Sequence, residues 1–242
     1  MSLLLWVVLP YLTIASLVGG TVWRYRYDRF GWTTRSSEIY GRTILNIASP
    51  LFHYALVFVI LGHVMGLVIP EGWTRGAGVT EHAYHVGSLV GGTVAGVAAL
   101  LGVGMLVYRR RTSGPVFSAT TRNDKLMYVF LVGSLILGTL CTIVANGISG
   151  PYDYRTTVSP WFRDVFLLRP DPDLMAPVPV LYKLHVLVGM LLIALFPFTR
   201  LVHAFAAPWF YLFRPYIVYR SADRGEPGTR APRRGWEPVG RR

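Results

Sequence analysis

Five runs of apolar residues, each about twenty long, decide most of what this chain can become. The hydrocarbon core of a bilayer is about 30 Å thick, and a helix rising about 1.5 Å per residue crosses it in roughly twenty residues. Leu3–Trp23, Ile44–Ile69, Val86–Tyr108, Leu126–Ala145 and the run from Val180 to near Ala207 all meet that length. The fold class expected is therefore an all-α integral membrane protein with five transmembrane helices. Pro10 sits inside the first run, where a membrane helix tolerates it. No basic stretch precedes that run, while Arg24 and Arg26 follow it, which predicts a retained helix rather than a cleaved leader. Gly91, Gly92, Gly96, Gly102 and Gly104 stud the third run and predict close approach of neighbouring backbones.

The loops between the runs give direction. Only 15% of the chain is charged, yet its net charge is +12. A soluble domain carries about a quarter charged residues, and basic blocks set between apolar runs indicate a membrane rather than nucleic acid. Segments 24–43 and 109–125 and the chain from Arg200 onward hold 19 of the 24 basic residues; segments 70–85 and 146–183 hold the other five, beside six acids. Basic loops stay in the cytoplasm. The expected topology is N-terminus outside and C-terminus cytoplasmic, multi-pass in the cell membrane, with lipid as the surrounding partner.

Residues 1–220 then form the membrane domain and 221–242 a basic cytoplasmic tail, rich in Gly, Pro and Arg and extended until something holds it. Ser159-Pro160 ahead of Trp-Phe-Arg-Asp-Val-Phe-Leu-Leu predicts a capped amphipathic helix lying on the outer interface. Arg169 to Pro179 reads as an outer loop. Trp6, Tyr11, Trp23, Tyr108 and Trp209, at span ends, read as an aromatic belt. The single Cys141 has no partner for an internal disulfide.

Four of the six histidines fall inside spans. Ionisable side chains at bilayer depth are costly and point to function. Spans two and five run in opposite directions, so His53 matches His203 in depth near the inner face, and His63 matches His185 near the outer face. Each facing pair suits an iron porphyrin held by two axial imidazoles, giving two haem b groups. His185 and His203 are about five helical turns apart, some 27 Å along a straight helix, whereas His53 and His63 are about 15 Å apart. A kink at Pro197 is one way to reconcile the two spacings. The other reading is that the imidazoles are polar contacts between helices. No Cys-x-x-Cys-His occurs, so covalent haem attachment is not expected, and two axial histidines leave iron no open position, which favours electron transfer.

At these residues the sequence resembles the gamma subunit of respiratory nitrate reductase, a membrane cytochrome b. The similarity runs through SPLFH (49–53), ILGHVMGLVIP (60–70), YRRR (108–111), SATTRNDKLM (118–127), LHVLVGM (184–190) and LFPFTRLVH (195–203). The resemblance implies that quinol, menaquinol or ubiquinol, is oxidised near the outer haem. Electrons then pass from the His63/His185 haem to the His53/His203 haem, on to an iron–sulfur beta subunit, and to a molybdenum alpha subunit that reduces nitrate. It places the quinol near Gly62, His63 and the start of the third span; His82 and His85 there are candidates to bond the quinone oxygen or take a proton, reading equally as interfacial histidines at a helix entry. Arg109, Arg110, Arg111 and Arg200 become candidates for the haem propionates, the triplet reading equally as a lipid-facing anchor. A related dihaem subunit of a sulfite- or heterodisulfide-linked reductase fits the same pattern. A haem-free anchor or proton-relay transporter is the reading from another class.

Overall fold

The computed structural model describes residues 1–28, 31–32, 42–148, 150, 152–206 and 213, and the described residues contain helices and no strand. Residues 1–206 form one compact unit. The expected boundary at 220, the basic tail and Trp209 lie outside the described residues.

Among the described residues, five helical stretches are long and apolar enough to cross a membrane: Leu4–Tyr27, Thr43–Val68, Glu81–Thr112, Arg122–Ile148 and Val180–Phe198, of 24, 26, 32, 27 and 19 residues. Their α-helical parts are α1 (Leu9–Tyr27), α2 (Arg42–His63), α4 (Glu81–Thr112), α6 (Arg122–Leu140) and α8 (Val180–Leu195), with α3 (Glu71–Gly76), α5 (Gly114–Ser118) and α7 (Val158–Phe166) in the connections. Local signals fix the starts. The Thr80 hydroxyl accepts from the Ala83 amide to open α4, and Thr121 and Asp124 form a reciprocal capping box on α6.

Helices α2 and α4 pack intimately because Gly102 lets their backbones touch: a Cβ there would lie 2.7 Å from the Phe52 amide nitrogen. Phe52, Ala55, Ala99, Val103, Leu131 and Leu135 fill the core between α2, α4 and α6. Gly92 and Gly96 let α4 meet Thr142 and Thr139 on the fourth span, whereas Gly91 and Gly104 face open space. The fifth span rests on α6 and α1. Between α2 and α8 there is scarcely any backbone packing; what faces across that seam is described below.

At the end where the chain begins, three spans widen into π-turns, over Leu4–Val8, Val64–Val68 and Cys141–Ile148. Short α7 seals this end. Pro10 has no N–H to offer the Trp6 carbonyl four residues back, and the Trp161 indole donates to it at 2.8 Å. Ser159 donates its hydroxyl to the Gly66 carbonyl at 2.7 Å, and Arg163 donates to the Leu67 carbonyl at 3.1 Å. Two expectations are corrected here. Ser159 is fully buried and serves another span instead of capping its own helix, which begins one residue earlier; α7 itself is amphipathic as expected, burying Val158, Trp161 and Val165 and exposing Phe166. Trp6 likewise leaves the aromatic belt for the core, its ring edge-on to Trp161 at 5.7 Å. Trp161→Phe keeps the ring and deletes the donor, so it should cost about 1–3 kcal/mol, read as a lowered Tm of the detergent-purified chain.

The fifth span also departs from expectation. Helix α8 stops at Leu195, a 3-10 turn covers Phe196–Phe198, Thr199 is extended (φ −119°, ψ −179°), and a second 3-10 segment runs Arg200–Ala206. Pro197 cannot bond back to the preceding turn and its ring crowds it. The result is a break, not a kink, so the straight-helix distance from His185 to His203 does not apply.

Candidate functional site

The four histidines within the spans stand on three elements. His53 lies mid-way along α2 and His63 is its last α-helical residue, His185 is on the second turn of α8, and His203 is on the 3-10 segment beyond the break. They meet across the seam between the second and fifth spans. The His63 and His185 ring centres are 5.9 Å apart, inclined at 44°, and those of His53 and His203 are 6.2 Å apart, inclined at 71°. The first pair lies at the α7 end and the second at the opposite, basic end, with Arg24, Asp124 and Arg200.

Ring orientation follows from local hydrogen bonds. His53 Nδ1 meets the Ser49 carbonyl at 2.7 Å and His63 Nδ1 meets the Val59 carbonyl at 2.7 Å, each one turn back. His203 Nδ1 meets the Arg200 carbonyl. A carbonyl can only accept, so Nδ1 carries a proton in each, and Nε2 is the nitrogen left to face outward from the bond. His185 is held differently: Gly138 on α6 makes the notch for its ring, where a Cβ would come within 2.9 Å of Cε1. Its Nδ1 is buried beside the Ser134 backbone without a bond of good geometry.

Metal–imidazole bonds of about 2 Å on opposite sides of one ion put the two ring centres about 6 Å apart. Both pairs fit that separation. Among the described residues no three His, Cys, Asp or Glu side chains converge on a point, so each pair would offer a metal two protein ligands. A porphyrin iron, four positions filled by the macrocycle, fits this donor set.

The other candidate residues are placed as follows. Gly62 adjoins His63 and faces open space. His82 and His85 lie on the first turn of α4 at the same end, His82 exposed and His85 partly buried; among the described contacts neither reaches His63. Between them Tyr84 shares a hydrogen bond of 3.2 Å with Tyr154, and the Arg155 guanidinium stacks over the Tyr84 ring at 4.0 Å. Burial, then the bond with Tyr84, raises the Tyr154 phenol well above its ordinary pKa, so it stays neutral. At the basic end Arg109 is buried, Arg110 donates to Thr120 Oγ1 at 3.1 Å, and Arg111 lies over Phe117 at 5.8 Å. Arg200 grips Asp124 bidentately, at 2.9 and 2.7 Å. Sequence reasoning did not single out Gly138, Arg24 or Asp124. Asp124 carried a signal, the Thr-x-x-Asp start of α6; the other two acquire their meaning only from what packs against them.

Comparison with known proteins gives a consistent set of relatives. Residues 2–222 match the family model described as nitrate reductase gamma subunit. The chain is 55% identical over 237 residues to the nitrate reductase-like protein NarX of Mycobacterium tuberculosis, a match covering 98% of this chain but only 36% of that protein. It is 42% identical over 217 residues to the nitrate reductase gamma chain of Bacillus subtilis, covering 90% of this chain and 97% of the relative. To the respiratory nitrate reductase 1 gamma chain of Escherichia coli it is 30% identical over 215 residues, covering 88% and 95%.

Proposed function

The chain belongs to the nitrate reductase gamma subunit family, and from that premise we propose that it is the dihaem cytochrome b subunit of a membrane-bound respiratory nitrate reductase. In this reading it oxidises quinol near the His63–His185 pair and delivers electrons past the His53–His203 pair to iron–sulfur and molybdenum partner chains, where nitrate is reduced. The observation that carries it is the double facing of imidazoles at 5.9 and 6.2 Å across a seam that the helix backbones leave open. Bound there, haem b supplies one-electron transfer with no free coordination position.

The chain's own residues do the rest. The backbone carbonyls of Ser49, Val59 and Arg200 fix three imidazoles with Nε2 presented for ligation, and the Gly138 notch seats the fourth. The basic end faces the cytoplasm, because Arg24, Arg26 and Arg109–Arg111 close their spans there. The α7 end then faces outward. There the open flank of Gly62 beside His63 admits the quinol head, and His82 and His85 receive its protons. At the cytoplasmic end Arg109, Arg110, Arg111 and Arg200 provide the positive field for the propionates.

The test is purification from native membranes in mild detergent. The expected result is a dithionite-reduced spectrum with two b-type haems per chain, together with co-purifying molybdenum and iron–sulfur proteins and quinol:nitrate activity. Absence of b-type absorbance would sink the cytochrome reading. Haem present, but with a sulfite- or heterodisulfide-type partner, would redirect the electrons to another acceptor.

A further inference from the structure

The break in the fifth span releases backbone carbonyls at membrane depth, where each needs a donor. The Phe196 carbonyl is served locally by Thr199; others find partners on other spans. Ser16 on α1 donates to the Ala194 carbonyl at 2.8 Å, and Asn123 on α6 donates to the Phe198 carbonyl at 3.3 Å. Arg24, in the last turn of α1, takes two at once: its Nη1 donates to the Pro197 carbonyl at 2.6 Å and to the Thr199 carbonyl at 3.0 Å. Its remaining donors go to the Gly31 carbonyl at 2.8 Å and the Asp28 carboxylate at 3.1 Å. The side chain is only 7% exposed, so this cation is spent almost wholly on holding backbone.

What it holds leads directly to a histidine. Thr199 is the extended residue at which the chain changes course, and Arg200 follows it. The Arg200 carbonyl takes the Nδ1 proton of His203, while the Arg200 guanidinium is tied to Asp124 on α6. Gly20 completes the seat: a Cβ on it would lie 2.9 Å from both Phe198 and Pro197, so α1 presses against the break itself. The course of residues 199–206, and hence the position of the His203 ring opposite His53, is thus fixed from α1 through Arg24.

We infer that Arg24 is a positioning residue for the His53–His203 pair: its fork clamps the two carbonyls flanking the helix break and so sets where His203 presents Nε2. The inference rests on the cofactor reading above as regards what the pair binds, and on the hydrogen bonds alone as regards the clamp. Lysine cannot reproduce it in full, since an ammonium is a point charge while guanidinium is a rigid fork.

The experiment compares Arg24→Gln and Arg24→Lys with the unmodified full chain, in the assembled complex in native membranes. Two measurements are made: a redox titration resolving the two b-type haems, and hydrogen–deuterium exchange of the backbone amides. The expected result for Arg24→Gln is faster exchange confined to 199–206 and loss or shifted potential of a single haem. Retention of that haem should be about tenfold weaker, with the other unaltered, and Arg24→Lys should restore part of both effects. Unchanged exchange in 199–206, or two haems affected alike, overturns the positioning role. If the unmodified chain shows no b-type haem while Arg24→Gln still loosens 199–206, the cofactor reading fails and the clamp survives, so the two failures are separable.

Discussion

His185→Ala is expected to abolish one of the two b-type haem signals, and His63→Ala to abolish the same one, while the other signal persists in both variants. The two residues are on different spans, yet their rings are 5.9 Å apart, and on the proposed reading both would hold one haem, so losing either histidine would lose it. His53→Ala and His203→Ala should remove the second signal and spare the first. Quinol-dependent nitrate reduction should fall in all four by more than the roughly 100-fold that outer-shell changes alone can reach, while an artificial dye feeding the partner chains directly remains effective. Low-temperature reduced-minus-oxidised spectra check the pairing. A common haem lost from His53→Ala and His185→Ala would contradict it.

The second large effect concerns stability. In Asp124→Ala the Arg200 guanidinium loses its bidentate carboxylate, and both side chains are well buried, 12% and 3% exposed in the native pair. Removing one member of such a buried pair costs about 3–5 kcal/mol, and the Thr121 amide loses its carboxylate acceptor while the Thr121 hydroxyl still caps α6, which adds at most about 1 kcal/mol. The double variant Asp124→Leu with Arg200→Met should regain most of the first figure but not the second, because both buried charges are gone while the Thr121 amide still lacks its carboxylate acceptor. Thermal unfolding of the purified subunit reads all three. If the double variant is as unstable as the single, the pair is not what holds α6 to the end of the fifth span.

How legible was this in the sequence? The five spans were, because bilayer thickness imposes a length that composition alone reveals. The pairing of the histidines by depth was legible for a related reason: alternating spans turn sequence order into depth. What escaped was everything decided by a contact distant in the chain. Trp6 reads as an interfacial aromatic until Pro10 is seen to strip its carbonyl of a partner and Trp161 to supply one. Ser159 stands where a cap would, yet its hydroxyl belongs to Gly66, on another span. Arg24 is one of many arginines on a basic side, and nothing in its neighbourhood tells it from Arg26; its task is defined by carbonyls more than 170 residues away. Pro197 announced a disturbance, but whether it bends or breaks a helix depends on whether side chains nearby can take up the carbonyls it frees. Ser16, Arg24 and Asn123 can.

The seam between α2 and α8 has a consequence for how the protein is made. Spans enter the membrane in the order of synthesis, so His53 and His63 are in place long before their counterparts exist. His63 and His185 are roughly 120 residues apart, and at about 5–20 residues per second the ribosome needs on the order of ten seconds to connect them. During that interval α2 already has its partner in α4, through Gly102, and does not wait for α8 to become a helix. The last span therefore arrives at a preassembled half-site. On the proposed reading, cofactor capture is a late step of biogenesis, since each pair is complete only once the fifth span is in place.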